Sequence, residues 1–186
     1  MYQSKFLLNR QKIYNPPEIN TAIASHFEHL PAPQRGRFFY RLEWYKIGVV
    51  VQMLVYSEVR PMMKMMPECQ LIETGELDNL PLIAETLDFA IFLAPPAEIM
   101  PGDEIDEAAI ITWLQKQLGK TATIINYGFG PNNCIYYNEG GEDRQQQTVT
   151  IKGILKVLNR DALDRLRQKP IGRAIELGCG LLYLTP

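Results

Sequence analysis

The closing stretch Pro170-Ile-Gly-Arg-Ala-Ile-Glu-Leu-Gly-Cys-Gly-Leu-Leu-Tyr-Leu-Thr-Pro186 places glycines at 172, 178 and 180 just ahead of the apolar run Leu181 to Leu184. Glycine reaches backbone conformations closed to other residues, so the segment reads as a glycine-rich loop feeding a terminal edge strand, where backbone can approach a ligand closely. A dinucleotide-binding fingerprint needs a helix after its glycines to aim amide dipoles at a pyrophosphate. No helix follows Gly180 before Pro186, so that reading of the Gly-x-Gly pattern fails.

The rest of the chain is read as alternating strands and helices. Tyr2 to Leu8 is expected as a strand, Glu18 to Leu30 as a helix entered after Pro16-Pro17, and Phe38 to Trp44 and Gly48 to Tyr56 as two further strands. The pattern then repeats. Leu87 to Leu93 reads as a strand, Asp106 to Leu118 as a helix capped by Asp106 and stopped by Gly119, and Thr121 to Tyr127, Cys134 to Tyr137 and Thr148 to Leu158 as strands. Asp161 to Gln168 is a short helix ahead of the glycine loop. A strand-helix-strand-strand order met twice fits an α+β fold of two ferredoxin-like units, over 1–80 and 86–186, with a linker between Met66 and Glu85.

Composition narrows the chemistry. A chain of 186 residues with 46% apolar and 22% charged side chains can build one large or two small cores. Cys69, Cys134 and Cys179 are odd in number and lack Cys-x-x-Cys spacing, which argues against a disulfide frame or zinc site and for a reducing cytoplasm. The longest apolar run, Ile47 to Tyr56, contains Gln52 and is too short to span a bilayer, so no membrane role is expected.

Charge is strongly polarised. Met65 to Gln115 holds eleven acids and no Lys or Arg, whereas the remainder carries +9 against a total of −2. Arg144 to Arg173 alone holds eight basic residues against Asp161 and Asp164. A basic stretch of this kind can neutralise nucleic-acid phosphates and release their counterions, or it can be a solvated helix face and edge strand. Asp103, Glu104, Asp106 and Glu107 surround a helix start, where the macrodipole favours acids, and do not match an EF-hand, so no metal or other cofactor is expected. Ser4, Ser25 and Ser57 have no nucleophile motif. Met62, Met63, Met65 and Met66 crowd around Lys64, as a partner-docking patch, a core filler or a mobile linker would.

The Gly178-Cys-Gly-Leu-Leu182 string closely resembles the C-terminal signature of the CasE family, the repeat-processing endoribonuclease subunits of type I-E CRISPR Cascade complexes. Met1-Tyr-Gln-Ser-Lys5, Arg41-Leu-Glu-Trp44, Ile110 to Gly119 and Thr148 to Leu155 supply further anchors in the same order. The resemblance implies two tandem ferredoxin-like domains of the RAMP type, binding of CRISPR repeat RNA, association with other Cascade-like Cas proteins, and metal-independent cleavage. In that chemistry a ribose 2′-hydroxyl attacks the adjacent phosphate while a first-helix histidine moves protons.

This sequence departs from the family pattern at the places that matter most. The histidine position, aligned on Asn15-Pro-Pro-Glu-Ile-Asn20, holds Asn20, whose amide does not titrate near neutral pH. Ala90, Phe92, Ala97 and Ile175 stand where basic residues are expected. Only His26 and His29 supply imidazole; on one continuous helix both lie off the Asn20 face, with His26 beside the buried stripe Ile19, Ala22, Ile23, Phe27, Leu30, and a shifted helix start would bring His26 to the scissile bond. RNA contacts are expected from Arg144, Lys152 and Arg173 and from the loop at Gly172, Gly178 and Gly180. Three readings follow: a CasE-like RNA-binding or assembly subunit with lost or reduced cleavage, an active endoribonuclease, and a Cas-mimicking antagonist whose acidic middle engages basic Cas surfaces.

Overall fold

The computed structural model describes residues 1–42, 48–80, 85–99, 105–131 and 133–185. Two compact units emerge, and neither is continuous in sequence. The first comprises Met1–Asp78, Ile135–Gln145 and Ile175–Gly178, the second Asn79–Cys134, Gln146–Ala174 and Cys179–Pro186.

In the first unit, β1 (Tyr2–Asn9), α1 (Pro16–Ser25), β2 (Phe38–Arg41), β3 (Val50–Ser57) and β4 (Cys69–Glu76) form an antiparallel sheet in the order β2-β3-β1-β4 with one helix on it. Period-2 alternation in β1 sends Ser4, Phe6 and Leu8 inward, and in β3 it does the same for Val51, Met53 and Val55. Helix α1 closes this core with Ile19, Ala22 and Ile23. Full burial of each large apolar side chain contributes about 1.5–3 kcal/mol.

Helix α1 is shorter than the sequence suggests and starts earlier. Pro16 and Pro17 occupy its first two positions, where a missing amide proton costs no intrahelical bond. After Ser25 the chain tightens: the amides of His26, Phe27 and Glu28 donate three residues back, to Ile23, Ala24 and Ser25. The stretch Met66 to Glu85, within which a linker is expected, opens with β4, and the chain passes from the first unit to the second after it, between Asp78 and Asn79. The Trp44 end of the strand expected from Phe38 lies outside the described residues.

The second unit consists of β5 (Thr86–Leu93), α2 (Glu107–Leu118), β6 (Ala122–Phe129), β7 (Asn133–Glu139), β8 (Glu142–Val157), α3 (Arg160–Arg167) and β9 (Tyr183–Thr185). Its order β6-β8-β5-β9 is the same as in the first unit, with β7 paired to the long strand β8 and the far end of their hairpin, Ile135–Gln145, belonging to the first unit. Both units therefore have the strand order of the split βαβ, ferredoxin-like motif. Asp106 caps α2 by accepting from the Ala109 amide at 2.9 Å, and Gly119 ends it at φ +57°. Ile110 and Leu114 then pack on Ile91, Ile151 and Leu155. A bulge between Ile124 and Asn126 draws β6 so close to β8 that a Cβ on Gly153 would lie 2.1 Å from the Asn126 oxygen. Strand β9 lies at the sheet edge beside β5, as the glycine-loop reading requires.

Candidate nucleic-acid interface

Asn15 precedes α1 but its side chain caps nothing. Its amide instead exchanges hydrogen bonds with the backbone of Asn138 on the hairpin: Nδ2 donates to the Asn138 carbonyl at 3.1 Å, and the Asn138 amide donates to Oδ1 at 3.2 Å. Farther along the same helix, Asn20 Nδ2 donates to the carbonyl oxygen of Glu176. The buried Tyr40 of β2 donates its hydroxyl to that same oxygen at 2.9 Å. One carbonyl, with two lone pairs, thus accepts two side-chain donors. Gly178 lies against the Tyr40 ring at φ +82°, where a Cβ would be 2.8 Å from Cε2.

Four amides of the glycine loop are hydrogen-bonded. Gly178 donates to the Ile175 carbonyl at 3.0 Å, Cys179 to Ala174 at 3.3 Å, Gly180 to Phe92 at 2.7 Å, and Ile171 to Gly180 at 2.9 Å. A Cβ on Gly180 would sit 2.7 Å from the Ile171 oxygen, so this glycine is needed for the chain's approach to itself. Gly172, at φ +90°, is exposed beside Arg173, whose backbone bridges to Ala94. Of the three loop glycines, Gly178 and Gly180 thus have their amides occupied, and the exposed end of the loop is at Gly172 and Arg173.

Basic side chains differ sharply in exposure. Arg144 is ion-paired with Glu139 at 2.7 Å and Glu142 at 3.4 Å. Arg167 is buried against Asp164 at 2.6 Å, and Arg160 meets Asp161 at 3.1 Å. Lys152 and Lys156 are exposed on one face of β8; Lys152 stands opposite Ala90 of β5 and Gly128 of β6, and Lys156 opposite Thr86 and Thr123. Arg165, Lys169 and Arg173 are also exposed. Phe92 is buried at 1% exposure and Ala97 is exposed in a 3-10 turn.

The two imidazoles have different surroundings. His26 is 1% exposed, with Nδ1 2.9 Å from the Met62 carbonyl, Nε2 3.2 Å from the Cys69 carbonyl, and its ring edge-on to Phe6 at 5.0 Å. Helical periodicity does not reach this residue because α1 has already ended, and the following turn drives the ring into the core rather than beside the apolar stripe. His29 is exposed and lines a groove of about 440 Å³ with Arg60, Met62, Met63 and Ile72. Burial, aided by Glu68, pushes the Cys69 thiol up to about 12, so it is no nucleophile. Among the described residues no group of three or more His, Cys, Asp or Glu is placed to hold a metal ion; Asp103 and Glu104 lie outside them. No described helix is long and apolar enough to cross a membrane.

Tyr40 is the site residue that sequence reasoning missed. In Phe38-Phe-Tyr-Arg41 a tyrosine on the inward side of a strand needs a hydroxyl partner, and that need was the available signal.

Two ferredoxin-like units, one after the other along the chain, define an α+β protein of that repeated fold, and solved structures share it. A family model described as CRISPR associated protein matches residues 1–186, and the chain belongs to that family. It is 38% identical to CRISPR system Cascade subunit CasE of Escherichia coli (strain K12) over 82 residues, 44% of this chain and 41% of that protein, so the match spans about two fifths of the relative's length. Among solved structures, Cas6e from Escherichia coli K-12 superposes with a TM-score of 0.76 at 24% identity, and CRISPR endoribonuclease Cse3 bound to 19 nt RNA with 0.82 at 18%, each covering 100% of both chains. Thermus thermophilus Cse3 bound to an RNA representing a pre-cleavage complex gives 0.78 at 17%, again over 100% of both chains. At these identities the likeness concerns the fold.

Proposed function

We propose that this chain is a CRISPR repeat RNA-binding and assembly subunit of a Cascade-type complex whose endoribonuclease activity is lost or strongly reduced. The observation that carries the reading is the state of the family's proton-carrier position: Asn20 is a non-titrating amide engaged with a backbone carbonyl. A general acid or base contributes roughly 10²- to 10⁴-fold to rate, and a carboxamide supplies none of it near neutral pH. The buried His26, with a carbonyl at each nitrogen, offers no exposed replacement. RNA binding is supported by the exposed Lys152, Lys156 and Arg173 and by relatives solved with RNA and within a CRISPR RNA-guided surveillance complex. A cytoplasmic location, alongside its RNA, goes with this reading.

Equilibrium titration of a labelled cognate repeat hairpin at several salt concentrations tests the binding half. Saturable, hairpin-selective binding that weakens linearly in log salt is the expected result. No selectivity over unrelated RNA, together with tight capture of intact Cascade by this protein, would replace the subunit reading with that of an antagonist.

A further inference from the structure

Resting on the RNA-binding reading, we infer that Asn20 and Tyr40 act as a two-donor clamp on the Glu176 carbonyl, and that this clamp sets the glycine loop in its RNA-binding conformation. Asn20 is thus a positioning residue. Its amide and the Tyr40 hydroxyl converge on one oxygen from a helix and a strand respectively, 156 and 136 residues away in sequence. The loop they hold needs restraint: Gly172, Ala174 and Gly178 all have positive φ, and Ala174, at +56°, adopts a conformation that residues with a Cβ populate sparsely. Gly178 is fitted to the Tyr40 ring, so the ring and its hydroxyl fix the loop at two successive points. Arg173, the exposed cation of the loop, lies three residues before the clamped carbonyl.

Tyr40 makes the inference testable apart from direct contact. Its side chain is fully buried, so Tyr40→Phe removes a hydroxyl that cannot touch RNA. Hydrogen–deuterium exchange on the full chain should show the Gly178 and Cys179 amides exchanging about fivefold faster in Asn20→Ala and in Tyr40→Phe, with β1 and β3 amides unchanged; this is the factor expected for one lost hydrogen bond. The two effects should be less than additive, because they share an acceptor. Asn20→His retains an N–H donor and should restore protection, whereas Asn20→Asp opposes a carboxylate to a carbonyl and should expose the loop further. Repeat-hairpin affinity should fall about fivefold in both Asn20→Ala and Tyr40→Phe.

Loop exchange unchanged in Asn20→Ala and Tyr40→Phe would overturn the clamp. Loosened amides with RNA affinity unaltered in Tyr40→Phe would overturn its link to binding. If the wild-type chain binds no repeat RNA, the proposed function fails, while the exchange comparison still decides on the clamp.

Discussion

Gly153 of β8 pairs with Tyr127 and Gly128 of β6 pairs with Lys152, one step along the same ladder, yet the two glycines carry opposite constraints. A Cβ on Gly153 collides with β6 backbone, at 2.1 Å from the Asn126 oxygen and 2.8 Å from the Tyr127 Cα, whereas one on Gly128 meets nothing within 4 Å. Gly153→Ala must push β6 and β8 apart and should cost about 1–3 kcal/mol in urea unfolding, while Gly128→Ala should be neutral within about 0.5 kcal/mol. Glu58 offers a pH test. The Arg37 amide bonds it at 2.9 Å and the guanidinium at 3.0 Å, and these hold its carboxyl below the ordinary 4.5, the backbone bond contributing most. A folded value below the unfolded one gives stability that is present above pH 4.5 and lost as pH falls through the folded value. Glu58→Gln should therefore lower stability by about 0.5 kcal/mol at pH 7, a difference that disappears in acid melts. At this scale the sequence is legible where chemistry is local. The lack of a titrating group at position 20 is plain from the letter alone, but its partner Glu176 lies too far along the chain for any local pattern to indicate. The burial of His26 escapes sequence reading for a related reason: a periodic count assumes a helix that has in fact ended.

Elements with strong boundary signals are readable. Helix α2 begins after Asp106 and ends at Gly119, as its cap and its glycine indicate. Asp106→Ala should lower thermal stability by about 1 kcal/mol, because the Ala109 amide loses its acceptor. Strand β4 gives a weaker signal. Cys69 and Leu71 are buried in alternation, but the register then shifts opposite Lys5 and Phe6, and Ile72 and Glu73 both face solvent. A bulge breaks period 2 within four residues, so the sequence pattern does not mark this strand ahead of the break between the units at Asp78 and Asn79. Strand β8 is longer than its pattern suggests for a different reason, since its first residues, Glu142 to Arg144, are exposed and polar and pair only along the hairpin. They belong to the first unit, within which Asn15 and Asn138 of the same hairpin end make a mutual amide contact that no periodicity encodes.

For the molecule as a whole, the repeated strand order is legible because the same succession of element types occurs twice, and the family signature reinforces it. Polarised charge is equally visible, but which cations are available is not. Arg144, Arg160 and Arg167 are engaged by carboxylates, so a count of eight basic residues overstates the exposed positive charge. Arg173→Ala and Lys156→Ala should each weaken hairpin binding across sequences and reduce the salt slope by about 1, whereas Arg167→Ala should act through stability. Under the proposed function, the chain keeps its fold with no titrating side chain at position 20. Single-turnover cleavage of a bound, labelled cognate hairpin in chelator tests this most directly: the wild-type chain is predicted to hold the hairpin uncut, and site-specific, metal-independent cleavage that His29→Ala or His26→Ala abolishes would contradict it.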